Sequence, residues 1–97
     1  MLIVKQLNGK IMEVHVVTAH KESKCRGFVD REFSFNLAIY SNEEDAKLSV
    51  KRMVNLYLTN PELIVHNSGD NFVEYSLKGF EFDIFKYTWE IETHALL

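Results

Sequence analysis

Little in this chain braces or punctuates a small protein. Cysteine occurs once in 97 residues, at Cys25. A lone thiol excludes an internal disulfide, and a small domain without one usually works in a reducing compartment or stands on its core alone. Proline occurs once, at Pro61, and glycine four times. Neither a glycine-rich phosphate loop nor a flexible linker can be assembled from so few. No apolar run approaches the ~20 residues of a membrane span. The N-terminal Met1-Leu2-Ile3-Val4-Lys5-Gln6 has no basic stretch followed by a long apolar segment, so it does not read as a secretion signal. These absences lead us to expect a soluble, cytoplasmic protein.

What is present is ordinary in amount and uneven in placement. The chain is 46% hydrophobic and 26% charged, with a net charge of −3, as expected of one soluble domain spanning residues 1–97. Residues 1–31 carry six Lys or Arg against three Asp or Glu, whereas residues 70–97 carry two Lys against six Asp or Glu. A gradient of this kind can steer a charged partner.

The pattern of apolar residues predicts the elements. Asn8-Gly9 is the clearest turn, because both residues accept the positive φ of a tight hairpin. It joins a strand over about 2–7 to one over about 10–19. Residues 20–31 show no period and read as a long, basic connection, of the kind that is often functional or mobile. From Glu32 to Tyr40 the alternation is clean, with Phe33, Phe35, Leu37 and Ile39 on one side, as in a half-buried strand. Ser41 followed by Glu44 fits a capping box. Ala46, Val50, Met53, Val54 and Tyr57 then recur at helical spacing, Leu48 falls on the opposite side, and Asn60-Pro61 stops the helix. Strands follow at 62–66, 72–77 and 79–92. The expected fold is α+β: a mostly antiparallel sheet of five to six strands in the order β-β-β-α-β-β-β, with one helix packed on one face.

The last strand is unusual. Phe80, Phe82 and Ile84 occupy even positions, and Phe85, Tyr87, Trp89 and Ile91 occupy odd ones. Alternate side chains of a strand point to opposite faces, so the apolar face changes halfway along. Either a β-bulge near Ile84-Phe85 or a sheet apolar on both sides is required. Phe85 and Trp89 can be covered by the helix as core or left out for a partner. If this strand lies at a sheet edge it also invites pairing with a second copy, as a homodimer.

Residues suited to chemistry are scattered. His15, His20, His66 and His94 show no metal-ligand spacing, and His20 to Cys25 is the nearest approach to one. Cys25 lies between Lys24 and Arg26, which favours a thiolate, but nothing in the sequence supplies the adjacent base a nucleophile needs. Glu81/Asp83 and Glu90/Glu92 each share a strand face, which perturbs carboxylate pKa values without making a pocket. No enzyme, metal or cofactor is expected. Lys21, Lys24, Arg26 and Arg31 lie near Phe28, Phe33 and Phe35, which suggests a nucleic-acid-binding segment as the alternative reading. Arg26-Gly27-Phe28-Val29 touches the RNA-recognition strand signature, but Asp30 and Glu32 depart from it, and the order of elements is wrong for that fold. The favoured reading is a non-catalytic protein-binding module. Aromatic residues in a polar rim make interface hot spots, so the expected contacts are Tyr87, Trp89, Glu90 and Glu92, with Lys24 and Arg26 as a second patch.

The junction Ile39-Tyr40-Ser41-Asn42-Glu43-Glu44-Asp45-Ala46 and the aromatic-acidic stretch Phe82-Asp83-Ile84-Phe85-Lys86-Tyr87-Thr88-Trp89-Glu90 resemble the small α+β accessory proteins of bacteriophage and other mobile genomes. The resemblance is one of style over the C-terminal two thirds and transfers no functional residue. It implies a protein that binds and inhibits or redirects a host defence or regulatory protein in the host cytoplasm, as anti-CRISPR and anti-restriction proteins do.

Overall fold

The computed structural model describes residues 12–25 and 31–96. The expected strand at 2–7 and its Asn8-Gly9 turn lie outside these residues. Within them the chain forms β1 (Met12–Cys25), β2 (Arg31–Tyr40), α1 (Glu43–Leu58), β3 (Leu63–Ser68), β4 (Phe72–Leu77) and β5 (Phe80–Leu96). The five strands make one sheet in the order β2-β1-β5-β4-β3, and every neighbouring pair is antiparallel. The α+β class with one helix on an antiparallel sheet is as expected, with β-β-α-β-β-β as the order of the described elements.

The largest departure from expectation is the length of β1. Residues 20–25, expected to be a basic connection, continue the strand. They pair with β5 from His20↔Thr88 to Cys25↔Asp83, and with β2 as far as Ser23↔Arg31. His20-Lys21-Glu22-Ser23-Lys24-Cys25 has no hydrophobic alternation, yet flanking strands on both sides supply the ladder bonds that hold it extended. The strand pair β1–β5 runs without a register break from Met12↔Leu96 to Cys25↔Asp83.

Helix α1 starts one residue later than the capping box predicts. Asn42, not Ser41, is the N-cap: its backbone is extended and its side-chain oxygen accepts the Glu44 N–H at 2.7 Å. Asparagine caps at least as well as serine, and the acidic Glu43, Glu44 and Asp45 then fill the first turn beside the positive end of the helix dipole. At the other end the Asn60 side chain accepts the Glu62 N–H at 2.9 Å across Pro61.

The helix covers one sheet face. Ala46, Val50 and Val54 are buried against Val17 and Ala19 of β1, Val73 and Tyr75 of β4, and Trp89 of β5, with Met53 and Tyr57 packed at the margin. These are the helix positions its spacing predicts. The opposite sheet face carries no helix among the described residues. It bears Val16, Thr18, His20, Glu22 and Lys24 of β1, and Ile84, Lys86, Thr88, Glu90 and Glu92 of β5, set opposite one another by the register, and Val16 and Thr18 are buried there.

Three register shifts bend the sheet. Leu37 is an extra residue of β2 between the pairs Val17↔Ala38 and Thr18↔Asn36. His66 is extra in β3. Between Tyr75↔Phe85 and Leu77↔Phe80, β5 spends residues 81–84 opposite the single Ser76. This third shift lies where the change of phase in the sequence requires one. Ser76 is fully buried there, with its hydroxyl 2.7 Å from His66 Nε2 and donating to the Glu81 carbonyl at 3.3 Å.

Candidate protein-binding surfaces

Past the register shift, the odd-numbered aromatics of β5 turn under α1. Trp89 is 2% exposed and stacks on Tyr87 with ring centroids 5.5 Å apart and planes 11° from parallel. Tyr57 reaches down from the helix onto Tyr75, Tyr87 and Trp89 at 5.1, 5.4 and 5.6 Å, and Phe85 stacks on Tyr75 at 5.5 Å. Trp89 is thus part of the core. Phe85 and Tyr87 are half-buried at the edge of the same cluster, with the Lys21 ammonium 5.2 and 5.4 Å from their ring centres.

The tyrosine hydroxyls gather at this edge. Burial pushes Tyr75 up to about 12, with a contribution from the charge Tyr87 would carry. Burial pushes Tyr57 higher still, reinforced by Tyr75 and Tyr87 and by hydrogen bonds to both. Groups held so firmly neutral serve packing and not acid–base chemistry at neutral pH.

The charged residues expected to accompany Trp89 lie on the other face. Glu90 and Glu92 are exposed on the side of the sheet away from α1. Glu90 approaches His20 Nε2 at 3.4 Å, and Glu92 approaches His94 Nε2 at 3.3 Å. Lys24 is on this face too, six β1 residues from the Glu90 partner Thr18, which is about 20 Å along a strand. It lines a shallow depression of about 280 Å³ with Glu22, Glu74, Ile84 and Lys86. Arg26 lies outside the described residues. The structure therefore brings Lys24 together with Ile84 and Lys86, brings Tyr87 together with Trp89, and separates both groups from Glu90 and Glu92. Lys21 and Lys24 lie on opposite faces of β1.

The odd-numbered aromatics of β5 named from the sequence pack in or against the core. The exposed aromatics of β5 are the even-numbered ones: Phe80 is 60% exposed and Phe82 76%. Phe80 stands opposite Leu77, itself 40% exposed, across the hairpin between β4 and β5. Gly79 makes that hairpin with φ at +86°, a left-handed conformation that favours glycine. Phe82 comes one alternation before Ile84 on β5. The change of phase was the available signal. It could not say which phase the helix would cover.

Two further features escaped the sequence. The β4–β5 ladder stops at Asn71, whose carbonyl accepts the Trp89 N–H at 2.8 Å and whose side-chain amide donates to the Trp89 carbonyl at 3.1 Å. Beyond it lies the larger recess, about 650 Å³, between Lys47 and Lys51 of α1 and Trp89 and Ile91 of β5. The histidines each have a hydroxyl or carboxylate neighbour: His15 with Thr93, His20 with Ser34, His66 with Ser76 and His94 with Glu92. Among the described residues no three metal-ligating side chains converge, and no helix is long and apolar enough to cross a membrane. No known protein family, curated protein or solved structure matches this chain.

Proposed function

We propose that the protein is a non-catalytic protein-binding module, and that its contact surface is the β4–β5 hairpin tip with the adjoining part of the sheet face away from α1. The observation that carries this reading is the exposure of Leu77, Phe80 and Phe82 within six residues of one hairpin. The exposed apolar surface of such side chains costs solvation that a covering partner recovers. Lys24 and Lys86 beside Ile84 supply the polar rim typical of such contacts. Glu90 and Glu92 extend the surface along the same face. The resemblance to phage and mobile-element accessory proteins supports a host defence or regulatory protein as the partner, bound in the host cytoplasm and inhibited in the manner of an anti-CRISPR.

Affinity capture from a host lysate tests the assignment. Wild type should retain a specific protein that Phe80→Ser and Phe82→Ser each lose, with unchanged circular dichroism. Lys24→Glu should weaken retention less. Equal capture by wild type and both phenylalanine variants would remove the hairpin tip from the contact.

A further inference from the structure

The flank of α1 that faces the β3–β4 turn carries charge and apolar surface that the core does not use. A groove of about 450 Å³ lies between Leu48, Lys51, Arg52, Asn55 and Leu58 of α1 and Asp70 of the turn, a size that suits a small ligand or a short peptide segment. Leu48 is 45% exposed and Leu58 46%, at the two ends of the helix wall. Two cations stand between them. Lys47, one turn before Lys51, is held by Glu43 and Glu44 at 3.4 and 3.7 Å. Lys51 and Arg52 are exposed, and neither forms an ion pair among the described residues, with Asp70 across the groove or with any other carboxylate. The larger recess beside Trp89 adjoins this groove at Lys51 and Asp70, which line both.

We propose that this groove binds an acidic peptide segment with apolar side chains, presented by another protein. The helix wall from Lys47 to Leu58 is about 16 Å long, the span of about five residues of extended chain. Apolar side chains of the segment cover Leu48 and Leu58, which recovers their solvation cost. Carboxylates between them meet Lys51 and Arg52, and the planar Arg52 guanidinium can take one through two parallel hydrogen bonds. The Asn55 amide offers both a donor and an acceptor, as a peptide backbone requires. Nucleic acid fits less well. Asp70 repels a phosphate chain, and leucine and valine line the groove in place of the aromatic rings on which bases stack. The groove is also apart from the hairpin tip. Its Asp70 precedes β4 and Leu77 ends that strand, and six strand residues span about 20 Å.

Fluorescence anisotropy on the purified full chain tests the proposal. The probes are labelled octapeptides of alternating glutamate and leucine, of lysine and leucine, and of glutamate and glycine, with a labelled oligothymidine. The glutamate–leucine peptide should bind about tenfold tighter than any of the other three. Lys51→Glu and Arg52→Glu should each weaken it about tenfold with unchanged circular dichroism, and Leu48→Ser and Leu58→Ser should weaken it by a smaller factor. Amide NMR shifts of wild type, titrated with the same peptide, should centre on residues 48–58 and 69–71, a readout that stands even if a variant misfolds. No binding of the glutamate–leucine peptide, equal binding of the lysine–leucine peptide, or tighter binding of the oligothymidine would overturn the proposal. So would binding that survives both charge reversals and is lost in Phe82→Ser, since that contact would belong to the hairpin tip. The two surfaces are separate, and either can fail without the other.

Discussion

Trp89 and Phe82 are large aromatic residues seven apart on β5, one 2% and the other 76% exposed. The difference should be plain in stability. Trp89→Ala removes a ring packed on Tyr57 and Tyr87, and should cost about 3–5 kcal/mol, read as a fall in the urea midpoint. Phe80→Ala and Phe82→Ala should stay within about 0.5 kcal/mol. The tyrosines carry a second expectation. Tyr75 titrates near 12 in the folded protein against an ordinary 10.0, and Tyr57 higher still, so folding favours their neutral forms. Their contribution to stability is fully present below pH 10. It falls once unfolded tyrosine begins to ionise and is lost as pH rises through the folded values. Unfolding midpoints followed from pH 9 to pH 12 should decline above 10, and less steeply in Tyr57→Phe. These roles follow from neighbours, and the sequence names the residue types without naming the neighbours.

Elements are set by a mixture of local and distant causes. The apolar face of α1 was legible because Ala46, Val50, Met53, Val54 and Tyr57 repeat at the helical period, which is a local property. The cap was legible to within one residue, since Ser41 and Asn42 are both good caps and only geometry chooses. Asn42→Ala should therefore lower stability by about 1 kcal/mol, whereas Ser41→Ala should change it by less than about 0.5 kcal/mol. Thermal melts of the two variants make the comparison. At the hairpin, Gly79→Ala forces a Cβ into a left-handed conformation and should cost about 1 kcal/mol. Gly69 is tight for a different reason: a Cβ there would meet the Phe72 ring. The extension of β1 through residues 20–25 was not legible. Polar residues with no alternation carry no strand signal, and this segment is extended because β2 and β5 flank it. The phase change of β5 was legible as a feature but not in its consequence, which depends on where α1 lies.

At the scale of the molecule, the β1–β5 ladder sets the shape. Seventeen residues of β5 at about 3.3 Å each account for the longest dimension, 56 Å. Helix α1, with 16 residues at 1.5 Å each, is about 24 Å long and covers less than half of that length. A long sheet under a short helix leaves apolar positions beyond the reach of that helix, and Phe80, Phe82, Leu37 and Ile39 are exposed.

The α+β class, the strand positions around a single helix, the core face of that helix and the break in phase on β5 were determined by the sequence alone, because periodicity and turn chemistry act between residues near in the chain. Tertiary structure decided which phase of β5 is covered, whether residues 20–25 are loop or strand, the order of the described strands in the sheet and which carboxylates lie away from the aromatics. Those outcomes depend on the register and order of strands far apart in the chain, and hydrogen bonds across a sheet leave no trace in the local pattern of either strand.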